Sequence, residues 1–155
     1  MKTINKIMVA VDFSDDSIAA AHYAAKLANE VNATLLLTNV FNQRDIDMMN
    51  IVAARVAEFT VERYVQENIS ERKEELEEIA AKITTNNLEI ETSVRIEVPY
   101  EGLLQEIKEK KPDLLVMGAK GRSNIMGAII GSCAQKMFRR CPIPLLSIRK
   151  EKSDE

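Results

Sequence analysis

The chain has 155 residues, 46% of them hydrophobic and 29% charged, with 21 Lys+Arg against 24 Asp+Glu and a formal net charge of −3. That length predicts a single domain with its own core, residues 1–150, and a short tail at 151–155. Scarce Gly (5), Pro (4) and Cys (2) exclude collagen-like and disulfide-rich classes, and no apolar run approaches the ~18 residues of a membrane span.

Residues 6–11 (KIMVAV) form a continuous apolar run, as in strands of parallel sheets that are buried on both faces. This run stops at Asp12, too short for an export signal, and two cysteines fit a reducing cytoplasm, the expected location. Ser14 predicts a helix N-cap, with Asp15 and Asp16 favourable in the first turn. Ile18, Ala21, Ala25, Ala28 and Val31 follow at helical spacing until Asn32, and a second strand is predicted over 34–41 (TLLLTNVF). The stretch 45–85 repeats apolar residues every three or four positions among many glutamates: Met48, Met49, Val52, Val56 and Phe59, then Ile69, Leu76, Ile79 and Ile83. It predicts one long helix, or two with a break near 60–70. The Met pair reads as core or dimer packing rather than a cofactor box.

Residues 88–98 alternate and are rich in Val and Ile, which predicts a strand with one wetter face. Pro99 opens a helix that carries Leu103, Leu104 and Ile107 and ends at Lys110-Lys111. DLLVMGA after Pro112 is another buried strand. A glycine-punctuated loop then leads into a helix to about Arg140, and Cys141-Pro142 breaks it. The last strand runs over 143–148, with Pro142 and Pro144 marking an edge. This alternation predicts an α/β fold of Rossmann-like type: an open five-stranded parallel sheet with helices on both faces, right-handed crossovers and strand order 3-2-1-4-5.

The small net charge hides an asymmetry. Residues 118–150 hold seven basic residues and no acid, while the rest carries 14 basic and 24 acidic residues. This segment is either a basic surface or a place that meets an anion. In open α/β sheets ligands bind beyond the carboxyl ends of the strands, where strand order reverses. Two segments fall there: Val11-Asp12-Phe13-Ser14 and the loop after Met117. That loop holds four of the five glycines, at Gly118, Gly121, Gly127 and Gly131. Glycines let backbone N–H groups approach a ligand, and N–H groups at a helix start suit phosphate. Ser132 adds a hydroxyl, and Lys120 and Arg122 add charge that no acid nearby in the sequence opposes. The competing reading is that the glycines serve tight turns and close helix–sheet packing.

The pattern is neither a P-loop nor the dinucleotide G-x-G-x-x-G, since the first strand ends in Asp12 rather than in glycines. Gly118-x2-Gly121-x9-Gly131-Ser132 resembles the nucleotide-binding signature of the universal stress protein family, in its ATP-binding branch. KIMVAVDFSDDS, TLLLTNV and CPIPLLSIRK resemble that family's first, second and last strands with their loops, in the right order over residues 4–150.

The resemblance implies an ATP-binding, nucleotide-responsive dimeric regulator of a stress response. Asp12 then lies near ribose and adenine, Val11 at the adenine pocket, and the Val40 backbone at the adenine edge. Gly118, Gly121, Arg122, Gly131 and Ser132 cradle ribose and phosphates, with Cys133 next to them. Mg²⁺ would be held through the phosphates. Cys133 and Ala134 depart from the family's usual Val followed by Thr or Ser, which puts one phosphate or metal-water contact in question. The family varies the part equivalent to 45–85, so no function is carried onto it. Members pair through the last strand, which implies a homodimer through about Pro144–Arg149; an apolar edge strand needs such cover.

Among the remaining residues, His22 sits inside the first helix with no metal-spaced partner. Cys133 lies near a helix start beside positive charge, a setting that favours thiolate, yet an inert half-buried thiol is the preferred reading over a redox sensor. No catalytic constellation is evident. Slow ATP hydrolysis or nucleotidyl transfer, and an interaction module without nucleotide, are the alternatives. Nucleic-acid binding is disfavoured because the basic segment lacks interleaved aromatics apart from Phe138.

Overall fold

The computed structural model of the chain describes residues 2–56, 58, 60–85, 87–120 and 131–151. The first element, β1 (Lys6–Ala10), is buried along its middle, and α1 (Asp15–Val31) follows it. The Ser14 side chain accepts the Ser17 N–H and starts α1, and Asn32 ends it in the left-handed conformation at φ 57°. Alanines at 20, 21, 24, 25 and 28 form its buried face, so the helix lies close on the sheet.

β2 (Thr34–Asn42) leads into α2 (Gln43–Ala53) and α3 (Val61–Ile83), two helices in one crossover. Their break falls at 54–60, earlier than the expected 60–70. In α2 only Ile46 is buried, while Met48, Ile51 and Val52, and Val56 beyond its end, are exposed. Of the two alternatives for the Met pair, core or dimer packing, the core alternative does not hold for Met48: the register of α2 turns Ile46 inward instead. Phe59 lies outside the described residues. α3 buries Leu76, Ile79 and Ile83 and leaves its glutamates in water.

β3 (Ile90–Glu97), α4 (Pro99–Lys110), β4 (Leu114–Gly118), α5 (Ser132–Arg140) and β5 (Leu145–Ile148) complete the chain. Pro99 sits in the first turn of α4 and Lys111 closes it in the left-handed conformation. All neighbours pair in parallel in the order β3-β2-β1-β4-β5, so β1 and β4 flank the reversal as expected. The last strand is shorter than 143–148, because Pro142 to Pro144 precede its ladder; the Pro144 carbonyl accepts the Leu115 N–H at 3.0 Å.

Two hydrophobic clusters sandwich the sheet. Leu35 and Leu37 point to one with α1 and α3, and Leu36 points to the other with Leu103, Ile107 and Met137. This two-sided burial explains the unbroken apolar runs of β1 and β4 and of Leu35–Leu37 in β2. Each fully buried large aliphatic contributes about 1.5–3 kcal/mol.

Candidate functional site

A cleft of about 360 Å³ opens at the strand-order reversal. Val11 and Asp12 leave β1 into it, and Val40 reaches it near the end of β2. Gly118 ends β4 there, and Gly131, Ser132 and Cys133 start α5 on its other wall. These seven expected residues come together in one place. Gly121 and Arg122 lie outside the described residues.

At the β1 exit the backbone turns sharply. Val11 donates its N–H to the Thr38 carbonyl at 2.8 Å, and its own carbonyl accepts Asn39 Nδ2 at 2.7 Å. Phe13 adopts φ 65°, a conformation that costs a bulky residue about 1–3 kcal/mol. Hydrogen bonds on both sides hold it: the Asp12 N–H donates to Ser17 Oγ at 3.3 Å, and Asp12 Oδ1 accepts the Ser14 N–H at 3.0 Å and the Ser14 hydroxyl. Asp12 thus acts as a cap acceptor while lining the cleft.

The neck of the glycine loop is tied down by backbone groups. Gly131 donates to the Ala119 carbonyl at 2.8 Å, and Ala119 donates to the Ile148 carbonyl at 2.8 Å. Asp16 accepts the Lys120 N–H at 3.1 Å on one oxygen and the Lys150 N–H at 2.9 Å on the other. The expectation that no acid opposes the basic loop holds only along the sequence; the fold brings the first turn of α1 beside it. Lys150 also pairs with Asp15 at 3.5 Å.

Gly118 serves packing: a Cβ there would stand 2.8 Å from the Asp16 carbonyl carbon and the Ser17 nitrogen. Gly131 caps α5 without a side chain, and among the described residues no side-chain hydrogen bond caps that helix.

Cys133 agrees with the preferred reading of an inert half-buried thiol, and its place near a helix start does not make the setting favour thiolate. Burial, then the Asp12 charge, pushes its thiol up to about 11, and Lys136 offsets this only in part. Lys136 and Arg140 have a further contact the sequence did not indicate, over the Tyr100 ring at 4.5 and 5.2 Å. His22 is exposed on α1. Among the described residues no three His, Cys, Asp or Glu side chains gather as metal ligands, and no helix is long and apolar enough to cross a membrane.

Sequence reasoning missed the wall formed by Asn39, Asp45 and Arg72. Arg72 Nη1 donates to Asn39 Oδ1 at 2.9 Å, and its guanidinium lies 4.3 Å from the centre of the Phe41 ring. The Thr38-Asn39 pair was the one available signal, two polar residues inside an otherwise apolar strand; both are buried. Nothing in the glutamate-rich α3 marked Arg72.

The family model described as the universal stress protein family matches residues 3–149. The chain is 28% identical over 149 residues to universal stress protein YxiE of Bacillus subtilis, covering 94% of this chain and 99% of that one. Its fold superposes on the solved structure of protein MJ0577 of Methanocaldococcus jannaschii with a TM-score of 0.82 at 17% identity, covering 98% of this chain and 100% of that one. The universal stress protein from Archaeoglobus fulgidus, solved in complex with dAMP, superposes with a TM-score of 0.65 at 19% identity, over 95% and 99% of the two chains.

Proposed function

The chain belongs to the universal stress protein family, and from that premise we propose that it is an ATP-binding member acting as a nucleotide-responsive dimeric regulator in a stress response of the cytoplasm. The observation that carries this reading is the cleft itself. It joins the apolar Val11 and Val40, the acid Asp12 and an α5 start capped by a glycine. Adenine lies by Val11 and Val40 and the ribose by Asp12. The phosphates lie against Gly118, Gly131, Ser132 and Cys133, where first-turn N–H groups and the helix dipole favour an anion. Gly121 and Arg122 belong to the same reading on sequence grounds. The dAMP complex of the Archaeoglobus fulgidus protein supports an adenine nucleotide as the ligand class.

Bound ATP would bring Mg²⁺ through its phosphates, which supply the charge that no carboxylate cluster provides among the described residues. The chain's own residues bind and orient. Asp12 stays fixed by Ser14, and the loop neck stays fixed by Asp16. The edge strand β5, half-buried along its length, offers roughly Pro144–Arg149 for pairing with a second copy.

Heat release of the contents of freshly purified protein, followed by chromatography, is expected to yield adenine nucleotide. ATP is expected to raise the melting temperature. Absence of both sinks the reading. Sedimentation is expected to give a dimer mass; a monomer throughout the micromolar range removes the dimer.

A further inference from the structure

A second concave surface lies at the opposite end of the sheet from the cleft. Gly118, at the end of β4, lines the cleft, and Pro112, just before the start of β4, lines a groove of about 510 Å³. Helices α4 and α5 each reach both. Pro99 of α4 and Ser132 of α5 line the cleft, while Lys108 of α4 and Arg140 of α5 line the groove. Arg140 stands eight helical steps from Ser132, roughly 12 Å away, so it serves a different place from the phosphate end of the cleft.

The floor of the groove is apolar. Leu104 and Ile143 are half-buried and pack on the cluster that holds Ile107, with Pro112 and Pro142 beside them. The rim is basic. Lys2 comes from the N-terminal segment, Lys108 and Lys111 from the end of α4, and Arg140 from the end of α5. Among the described residues no carboxylate lines the groove. Lys2 pairs with Asp113 at 3.2 Å, whose other oxygen accepts the Asn5 and Lys6 N–H groups at 2.8 and 3.1 Å. No ion pair among the described residues holds Lys108, Lys111 or Arg140. The Arg140 guanidinium lies over Tyr100, 5.2 Å from the ring centre; this contact steadies the cation and does not neutralise it.

An aliphatic floor under a basic rim is complementary to a chain that carries acids beside an apolar side chain. The cations come from three separate segments, so they match negative charges spread along a ligand rather than one headgroup. No aromatic side chain lines the floor, which leaves nucleic-acid bases without a stacking partner. A concave surface on a chain of net charge −3 is also a poor match for a flat anionic bilayer.

We propose that this groove is a docking site for an acidic peptide segment of a partner protein. Its apolar side chain seats on Leu104 and Ile143, and its carboxylates meet Lys108, Lys111 and Arg140. The inference does not depend on what the cleft binds, because the groove and the cleft share no lining residue among those described.

The test is fluorescence anisotropy of the full chain with a labelled decapeptide of Asp and Glu around a central Leu-Phe pair, at low salt. Wild type is expected to bind it about tenfold more tightly than the same peptide with Ser in place of Leu and Phe. Arg140→Glu and Lys108→Glu are each expected to weaken binding by about tenfold. Both residues are exposed, so these variants fold, and an unchanged melting temperature checks it. Lys26→Glu, the same charge change on exposed α1 outside the groove, is expected to leave binding unchanged. Equal losses in all three variants mean that net charge alone attracts the peptide, and overturn the proposal. Equal binding of the Leu-Phe and Ser peptides overturns it as well, as does no binding of either. Binding of phosphatidylglycerol vesicles or of a single-stranded oligonucleotide in preference to the Leu-Phe peptide, abolished by Arg140→Glu, assigns the groove to another class of partner and overturns it too.

Discussion

The two ends of the cleft are built from different material. At the glycine neck the walls are backbone: Gly118 against α1, Gly131 bonded to Ala119, and Lys120 and Lys150 bonded through their N–H groups to Asp16. At the far end the wall is side chain: Asn39, Asp45 and Arg72. A backbone wall is limited by size, because there is no rotamer to move aside. A side-chain wall is limited by chemistry, because its groups can be exchanged without moving the chain. The neck should therefore respond to substitution in stability, and the far end in selectivity.

The largest effect is expected at Gly118. Gly118→Ala puts a Cβ 2.8 Å from backbone atoms of Asp16 and Ser17, so α1 must shift, at a cost of about 2–3 kcal/mol in urea unfolding. A cost under about 0.5 kcal/mol would show that the neck is not size-limited. Asp16→Ala comes next, with about 1–2 kcal/mol from two backbone N–H groups losing their acceptor, moderated by exposure to water. Faster amide exchange at Lys120 and Lys150 should accompany it; unchanged exchange at both would mean that the carboxylate does not hold the neck.

Ser132 lines the cleft at the start of α5; if the proposed placement of phosphates there holds, Ser132→Ala is expected to lower ATP affinity by about threefold to tenfold and to leave adenosine affinity unchanged. Equal losses for both ligands would erase the division between the two ends. The smallest effect is a rate. With its thiol pushed up to about 11, Cys133 should resist iodoacetamide at neutral pH and gain about tenfold in rate per pH unit until that value is reached. Asp12→Asn removes a negative charge that raises the thiol, so it should speed alkylation at fixed pH. Fast labelling of wild-type Cys133 at neutral pH would contradict the buried environment.

A separate acid response is expected on the β3 edge. Hydrogen bonding to Arg95, then to Gln105, lowers Glu109 to about 2. A depressed carboxylate contributes stability that is fully present above its ordinary range and is lost as pH falls toward about 2. Arg95→Ala should flatten that acid limb, and an unchanged pH profile would show that the exposed pair adds nothing.

Much of the fold could be read along the chain. Ser14, Asn32 and Pro99 fall at helix ends where capping and fixed φ require them. The unbroken runs KIMVA and LLVMG are the strands buried on both faces. Of the cleft, the sequence showed the two segments flanking the strand reversal. It left Met48 between core and dimer packing, and the core alternative fails, because helical spacing in an amphipathic stretch does not say which stripe turns inward when two stripes compete. For Cys133 the inert half-buried thiol preferred from the sequence agrees with its burial, while the thiolate-favouring pull of a nearby helix start does not prevail, because proximity to a helix start says nothing about burial.

What the sequence determined by itself is what depends on near neighbours: periodicity, caps, breakers and the glycine signature. These fix which elements form, and right-handed crossovers place helices on both faces of a parallel sheet. What only the tertiary structure decided is what depends on distant pairs. Arg72 meets Asn39 across 33 positions, and Asp16 meets Lys120 across 104 and Lys150 across 134. These contacts follow from sheet register and from how closely the Ala-rich face of α1 seats on β4. Small changes in either would move a side chain by ångströms, and hydrogen bonding falls off within less than that.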